Sequence, residues 1–335
     1  MSCDLENAIN ALAPALLTGG NRVSNLKRLS GGASQETWRF TVETADGDVA
    51  DRILRRAPNG QADARSEAAI SLSGEAELIK AVGRAGVPVP PVRHICSEAD
   101  DLGSAFIMDF VPGETLARRI LRDDKYTTAR GHLARDCGQS LAAIHATDLA
   151  TLPALDLSSG ADQIEKYEQI YLDLDIPRPV FDLAFQVLKA QTPAPAATVL
   201  VHGDFRLGNL MVNEAGLAAV LDWELAHLGD PREDIGWLCV NSWRFGQSDK
   251  RAGGFSDLKP LLEAYAAAGG KTYDEDEIDW WELLGSLKWG IMCLIMYDVF
   301  RSGADASVER AAIGRRVSET EIDILSLIEK DLAHA

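Results

Sequence analysis

Three oxygen-bearing side chains in one stretch of the chain have types and spacing that suit chemistry. An apolar run at 199–201 reads as a strand that delivers Asp204 into a loop, and Asn209 starts the next strand. A Glu-Ala-Gly turn at 214–216 then sends the chain back along a third strand, which ends at Asp222. This order predicts a strand, a loop and a hairpin that gather an amide and two carboxylates.

The hairpin is expected to set two of these groups side by side. Pairing Asn213 with Leu217 across the turn places Asn209 next to Asp222. Mg²⁺ prefers hard oxygen ligands and usually takes one or two from the protein, while phosphate and water complete the octahedron. Asp204, set back from that position, can accept the proton of an attacking hydroxyl. The spacing therefore predicts phosphoryl transfer to a hydroxyl, with Asp204 as base and the other two as metal ligands.

Other interpretations of the same residues stay open at this point. Asp204 and Asn209 could simply cap turns while Asp222 lies exposed at a strand end. A hydrolase built on His202, Asp204 and Asp222 would need more metal ligands than the loop offers. A catalytically silent nucleotide-binding module is the alternative from another class.

Two segments carry a resemblance to a known family. The spacing Asp-x-x-x-x-Asn in LVHGDFRLGN (200–209) matches the catalytic loop of kinases. With LDWELAHLGDPREDIGWL (221–238) it resembles the aminoglycoside phosphotransferase family, a branch of the protein-kinase-like fold. The second segment is most similar to the kinase-like domains associated with acyl-CoA dehydrogenases. The resemblance implies an α+β two-lobe fold, with a small antiparallel-sheet N-lobe over 1–110 and a larger, mainly helical C-lobe over 111–335.

Patterning along the chain agrees with two lobes. Trp38, Phe40 and Val42 alternate as in a half-buried strand, and an Ala-Asp-Gly-Asp turn at 45–48 leads into a partner strand at 49–55. A helix capped or restarted at Ser73 is expected within 66–84, and a buried strand over 105–111. Helical periodicity then dominates, with helices predicted at 128–145, 161–173, 180–191, 257–268, 278–300 and 305–332.

The resemblance also implies a set of nucleotide-binding residues in the small lobe. The family places a cation at Arg55, where a lysine is usual, and inward-facing Glu75 is its expected partner. A glycine-containing turn is expected over the phosphates, although an ordinary hairpin would look the same, and a hinge strand is expected to bind adenine through its backbone. These turn and hinge residues are Ser30, Gly31, Gly32, Ser34, Met108 and Phe110.

Four residues near the catalytic loop receive further roles. Arg206 either neutralises the transferring phosphate or pairs with a surface acid. His202 is expected to order the loop through its backbone and to bind no metal. Of Asp230 and Asp234, the second is the better candidate to brace the loop, as its family counterpart does.

The charge and cysteine content of the chain indicate which classes of partner and which cell compartment are expected. A net charge of −18 disfavours nucleic acid and anionic membrane surfaces, since both need a basic face. Five scattered cysteines without a CxxC pair favour a reducing cytoplasm. We expect ATP and Mg²⁺ as cofactors, a monomer or homodimer, and a small hydroxylated acceptor. Resemblance to the dehydrogenase-associated group suggests a hydroxy acid or hydroxyacyl thioester, and the broader family leaves an aminoglycoside open.

Overall fold

The computed structural model describes residues 2–29, 35–60 and 70–334, with side chains for 4–29, 35–60 and 70–330. Two helices open the chain, α1 (Ser2–Ala11) and α2 (Ala13–Leu16). A five-stranded antiparallel sheet follows, with the spatial order β1-β2-β3-β5-β4. Its strands are β1 (Gly20–Arg28), β2 (Glu36–Thr44), β3 (Val49–Arg56), β4 (Val92–Ile95) and β5 (Ala105–Asp109), with α3 (Leu72–Arg84) between β3 and β4.

The two faces of this sheet are buried against different partners. Phe40, Val42 and Ile107 join the cluster that includes α1 and α2. The alternating residues Ile53 and Phe106 face the opposite way, into a core shared by α3 and the helical part of the chain. Side chains of a strand alternate between faces, so a sheet covered on both sides needs apolar residues at both sets of positions. One face of the sheet therefore packs on α1 and α2, and the other face positions α3 beside the helical lobe.

The helix α3 begins at Leu72, and its N-cap lies two residues before the predicted cap. Ser71 has an extended backbone and its Oγ accepts a hydrogen bond from the Gly74 N–H at 3.1 Å. Ser73 lies inside the first turn, so the expected cap at that residue is wrong. Ser71 caps the helix because it lies three residues before the free N–H of Gly74. Glu75 points inward and is fully buried. Residues 66–69 of the predicted helix lie outside the described part of the chain.

The helical part is built around one long helix. Its helices are α4 (Ala117–Arg122), α5 (Thr127–His145), α6 (Gly160–Leu174), α7 (Pro179–Ala190), α8 (Arg232–Cys239), α9 (Leu258–Ala267), α10 (Asp276–Arg301), α11 (Val308–Gly314) and α12 (Val317–His334). The central α10 packs against α6, α7, α8, α11 and α12. The single helix expected over 305–332 is wrong, because the chain turns at Arg315 and Arg316 so that both α11 and α12 can pack on α10.

The length and composition of α10 would allow it to cross a membrane, and it is the one such helix in the described residues. Of its most apolar window, 56% is buried inside the protein. A core helix of a folded domain passes the same test, because a helix buried on most sides is apolar on most sides.

Two short ladders carry the loop with Asp204. The first pairs β6 (Val199–Val201) with β9 (His227–Gly229), and the second pairs β7 (Leu210–Val212) with β8 (Leu217–Val220). All four strands are antiparallel to their partners.

A β-bulge corrects the predicted register of the second ladder. Leu217 faces Val212, so the expected pair with Asn213 is wrong. One extra residue in β8 then restores the register, and the Leu221 N–H donates to the Asn209 carbonyl at 2.8 Å. Asn209 consequently lies beside the end of β8, where the sequence had placed it.

Candidate active site

The Asp204 carboxylate is held by three neighbouring side chains. Asn209 Nδ2 donates to Asp204 Oδ2 at 2.6 Å and to its backbone carbonyl at 2.9 Å. Arg206 Nε and Trp237 Nε1 both donate to Oδ1, at 2.8 and 2.7 Å. The side chain is 15% exposed, so the carboxylate is oriented by the protein and still reaches a cavity. A fixed carboxylate at a cavity wall can accept a proton from a bound hydroxyl.

The backbone before Asp204 needs a glycine. Gly203 has φ of +81°, and a Cβ at this position would lie 2.5 Å from the Leu225 carbonyl oxygen. His202 then orders the loop through backbone groups, as its ring accepts from the Asp204 N–H at 3.1 Å and donates to the Leu221 carbonyl at 3.0 Å. One ring nitrogen accepts and the other donates, so the imidazole is neutral. This geometry links the Asp204 loop directly to the end of β8.

Asp234 braces the same loop from α8. Its two carboxylate oxygens accept the backbone N–H groups of His202 and Gly203, both at 2.9 Å. His145 Nε2 adds a third donor at 3.2 Å. Burial raises the pKa of Asp234, but the hydrogen bond and charge of His145 outweigh it and hold the pKa below its usual value. A fully buried carboxylate thus fixes the direction in which the chain enters position 204.

Replacing Asp234 with alanine should destabilise the protein as a whole. The change leaves two buried amides and a buried imidazole without their acceptor. Loss of one member of such a network costs about 3–5 kcal/mol. We expect the midpoint of urea unfolding to fall accordingly. Glu165→Ala, which removes an exposed carboxylate of α6, is the control. Asp230 pairs with Arg232 at 2.6 Å and does not contact the loop. An equal loss in both variants would contradict a specific bracing role.

The chain offers two oxygen donors that fit a divalent cation. The Asn209 amide nitrogen is committed to Asp204, which leaves its carbonyl oxygen available to a metal. Asp222 directs Oδ1 to Arg55, and within the described residues its second oxygen accepts no hydrogen bond. Burial raises the pKa of Asp222, and the Arg55 guanidinium lowers it further than burial raises it, so the group is a carboxylate. One amide oxygen and one carboxylate are the ligand number and type that Mg²⁺ takes beside a phosphate.

Asp222 also has an unusual backbone. Its φ is +65°, in the left-handed region that a non-glycine residue enters at some cost. Aspartate tolerates this region better than most residues. The conformation turns the chain away from β8 immediately after the pair with Asn209, which separates the carboxylate from the strand.

Arg55 uses all faces of its guanidinium. Nη1 pairs with Glu75 at 3.2 Å, and Nη2 pairs with Asp222 at 3.0 Å. Nε donates to Gln35 at 2.9 Å, and the Gln35 amide donates to Glu224 at 3.0 Å. The structure therefore brings the cation of β3, the carboxylate of α3 and the carboxylate after β8 into one cluster. Gln35 and Glu224 were not identified from the sequence.

The predicted turn over the phosphates, Ser30, Gly31, Gly32 and Ser34, lies outside the described residues. The two hinge residues are described, and their surroundings modify the expectation. Met108 pairs with Ile53 on one side and Val92 on the other, which encloses its backbone within the sheet. The Phe110 N–H is already bonded to the Asp51 carbonyl at 3.2 Å.

The next residue along the chain differs from Phe110 in its backbone contacts. Among the described residues, the N–H of Val111 has no backbone partner. The bond from Phe110 to Asp51 depends on how far β3 extends, which is a property of the sheet and not of the local sequence.

A cavity of about 420 Å³ opens beside the Asp204 carboxylate. Trp237, Trp243 and Trp289 form one wall, with ring centroids 5.3 and 4.7 Å apart along the series. Arg206 lies over the Trp243 ring at 4.7 Å, and Met292 extends the apolar surface. The wall is aromatic next to the base and suits an apolar chain next to a hydroxyl.

A buried polar network also lines the cavity, next to the Trp237 ring. Lys288 Nζ pairs with Glu233 at 3.0 Å and donates to Gln163 at 2.7 Å. His227 donates to Glu233 and to the Leu225 carbonyl, both at 3.0 Å, so both ring nitrogens face acceptors. Burial lowers the pKa of His227, and the Glu233 charge outweighs it and raises the pKa above its ordinary value.

The network surrounds Glu233, and the net charge of the network depends on the two basic partners of that residue. Burial lowers the pKa of Lys288, but the same carboxylate outweighs burial and raises it. With His227 and Lys288 both cationic, the network has one more positive charge than negative charge.

Trp237 and the Glu233 network were not singled out from the sequence. One signal for Trp237 was present: Asp234 and Trp237 are three residues apart, which places them on the same face of a helix. Both side chains reach the 202–204 loop. Assigning α8 from the sequence would have pointed to this residue. No comparable signal existed for Lys288, which lies 55 residues from Glu233.

Comparison with known proteins places this site in a family. Residues 25–281 match the family model described as the phosphotransferase enzyme family. Mouse acyl-CoA dehydrogenase family member 10 is 32% identical over 206 residues, which are 57% of this chain and 18% of that protein. A probable acyl-CoA dehydrogenase of Arabidopsis thaliana, IBR3, is 25% identical over 336 residues, covering 90% of this chain and 39% of that protein. The chain thus spans less than half the length of these relatives.

Solved structures show the same fold. A putative aminoglycoside phosphotransferase from Ralstonia eutropha superposes with a TM-score of 0.73 at 22% identity, covering 97% of this chain and 98% of the other. An aminoglycoside phosphotransferase in a ternary complex with streptomycin and ATP gives 0.59 at 16% identity, covering 88% and 90%. The predicted protein-kinase-like α+β fold is confirmed, and so is the predicted resemblance. Its matched residues and its fold show that the chain belongs to the phosphotransferase enzyme family, and the family and its structural neighbours indicate a small-molecule phosphotransferase.

Proposed function

We propose that this protein transfers the γ-phosphate of ATP, with Mg²⁺, to the hydroxyl of a small hydroxy acid or hydroxyacyl thioester. The observation that carries the proposal is the Asp204 carboxylate. It is oriented by Asn209, Arg206 and Trp237 at the wall of a 420 Å³ cavity. A base held in this way needs little reorganisation when the acceptor arrives.

Each residue of the loop has a distinct part in the proposed reaction. Asp204 Oδ takes the proton of the acceptor hydroxyl while the oxygen forms its new bond to phosphorus and the bond to the leaving diphosphate breaks. Arg206 pairs with the same carboxylate and is close enough to neutralise negative charge on the transferring phosphate. Asn209 Oδ1 and the open Asp222 oxygen would hold Mg²⁺, which when bound neutralises the phosphate charge.

The small lobe supplies the proposed nucleotide site. Arg55 is fixed by Glu75 and Asp222 close to the metal ligands, which suits a cation meant for phosphate oxygens. The turn at 30–34 remains the proposed phosphate loop, and the N–H of Val111 is the proposed adenine contact. The ATP of the streptomycin complex belongs to a protein of the same fold, which supports ATP as the donor here.

The charges around the cavity support an acceptor that is not a polycation. Four cationic side chains and three carboxylates line it, and they are Lys166, Arg206, His227, Lys288, Asp156, Asp204 and Glu233. Glu233 is neutralised by Lys288 and His227, and Asp204 is paired with Arg206. A polyamine sugar would need several unpaired carboxylates, because each ammonium group loses hydration on binding. The aromatic wall and the excess cation fit an apolar chain that carries an acid or thioester.

A panel of acceptors tests the proposal directly. Purified protein is incubated with Mg·ATP and matched hydroxy acids, their thioesters and aminoglycosides, and the phosphorylated product is detected by mass spectrometry. We expect the wild type to form phosphate esters of the hydroxy acids or thioesters. We expect Asp204→Asn to form only background amounts of these products. Product formation on aminoglycosides alone would assign the alternative acceptor. Nucleotide binding without any product on the panel would favour a silent module.

Replacing Arg55 with lysine should weaken nucleotide use without unfolding the protein. Lysine keeps one positive charge near Glu75 but cannot reach Gln35, Glu75 and Asp222 together, since an ammonium lacks the planar fork of a guanidinium. We expect KM for ATP to rise about tenfold, as for loss of one charge-assisted hydrogen bond, with a smaller change in kcat. Arg56→Lys, on the neighbouring residue, is the control and should change neither constant. A lower KM in Arg55→Lys would show that the usual lysine geometry is the better one here.

A further inference from the structure

A second cleft lies on the far side of the aromatic wall. Its volume is about 810 Å³, and it is formed by α4, the turn after α8 and the junction of α11 and α12. Trp243 lines the acceptor cavity, while the preceding residue Ser242 lines this cleft. The Arg316 guanidinium lies 5.7 Å from the ring of Trp289, which belongs to the other cavity. One thin wall therefore separates the two spaces.

The cleft is basic in a strongly acidic protein. Arg118 and Arg122 lie one helical turn apart on α4, so both side chains lie on the same face, and Arg315 faces them from the end of α11. In the described part of the chain, none of the three guanidinium groups has a hydrogen-bond or ion-pair partner. The protein has 51 acidic and 33 basic side chains, so a cleft with several unpaired arginines is not expected from its composition.

The acids in the cleft do not neutralise these arginines. Glu319 pairs with Arg316 at 3.0 Å, and Asp323 accepts from Asn241 at 2.9 Å. Ser242 is 6% exposed, and its hydroxyl has no hydrogen-bond partner among the described residues.

We propose that this cleft binds phosphate groups, at a site separate from the transfer site. Arginine forks match the oxygens of phosphate and form two parallel hydrogen bonds to it, and three forks suit a diphosphate or a group of similar charge. The phosphates come either from the remote end of an extended acceptor that reaches around the aromatic wall or from an independent phosphorylated ligand. Both sources present the same chemistry to Arg118, Arg122 and Arg315.

Binding of inorganic pyrophosphate tests the site itself. The measurement is isothermal titration calorimetry on the full chain, with the nucleotide site filled by saturating Mg·ADP. We expect one pyrophosphate per chain, and an affinity about tenfold or more weaker in Arg118→Ala/Arg315→Ala, since two charge-assisted contacts are lost. The matched control is Arg22→Ala/Arg84→Ala, which removes the same charge from two exposed arginines of the small lobe.

The outcomes separate a built site from a general charge effect. Loss of affinity in the cleft variant alone, with unchanged ADP binding and unchanged thermal unfolding, supports the proposal. Equal losses in both double variants, or no binding by the wild type, would overturn it. Arg118→Lys/Arg315→Lys keeps both charges but loses the planar forks, so it should still weaken pyrophosphate binding. This variant provides a second check if the alanine double variant unfolds, and unchanged affinity in it would contradict recognition by the forks.

Kinetics then distinguish the two sources of phosphate. If the phosphates belong to the acceptor, the cleft variant raises KM for a phosphate-bearing hydroxyacyl thioester and leaves KM for the free hydroxy acid unchanged. If the ligand is independent, both KM values stay as in the wild type while pyrophosphate binding is lost. Failure of all turnover in the wild type would concern the proposed function, and the calorimetric result on the cleft would stand by itself.

Discussion

Asp204→Asn is expected to reduce kcat about 10³-fold, within the range that general bases contribute. Asparagine has nearly the same shape and keeps an oxygen for Arg206 and Trp237, but it cannot accept a proton from the acceptor. The loss corresponds to about 4 kcal/mol of transition-state stabilisation. The measurement is steady-state ADP release with an acceptor from the panel. Nucleotide binding should stay as in the wild type, since Asp204 makes no hydrogen bond or ion pair to the small lobe within the described residues.

The control for this variant is Asp156→Asn, an exposed carboxylate at the rim of the same cavity. It removes one negative charge near the acceptor without touching the loop, so kcat should change little. Retention of full turnover by Asp204→Asn would show that another group takes the proton. An equal loss in both variants would point to a charge effect on the acceptor instead of proton transfer.

Asp222→Ala is expected to remove most of the affinity for Mg·ATP as well as transfer. The change deletes a carboxylate oxygen of the proposed metal site and one of the two acidic partners of Arg55. Groups that only orient metal ligands already change metal affinity by 10- to 100-fold, so we expect a loss of roughly 100-fold or more. A magnesium titration of nucleotide binding measures this, because the variant should lose the dependence on magnesium while it still binds metal-free nucleotide weakly.

Asp175→Ala is the matched control for Asp222→Ala. Asp175 also has a left-handed backbone, with φ of +49°, but it ends α6 at the surface. Any effect of placing alanine in this backbone region is therefore common to both variants. Similar nucleotide binding in the two variants would contradict a metal role for Asp222. An unchanged magnesium dependence in Asp222→Ala would do the same.

Local patterning predicted the elements that carry the site, with errors where partners decide the end of an element. The alternation at Trp38, Phe40 and Val42 predicted β2, and helical periodicity predicted α5 and most later helices. The cap of α3 was placed at Ser73 and lies at Ser71, because either serine could cap a helix and the packing of the first turn selects one. β4 and α8 were not assigned, since short elements have little periodicity of their own. β1 is nine residues long, but only Val23 and Leu26 in it are large and apolar, so it lacks the alternation of a half-buried strand.

The order Asp204, Asn209, Asp222 and the chemistry of their side chains were determined by the sequence alone, because ligand type and hairpin spacing are local properties. The contact of Arg55 with Asp222, the hydrogen bond from Trp237 to the base, and the network around Glu233 were decided only in the tertiary structure. Each of these joins residues of different elements, and their distance depends on how a sheet and a helical lobe pack. The same packing placed three unpaired arginines around one cleft, which no motif in the chain announces.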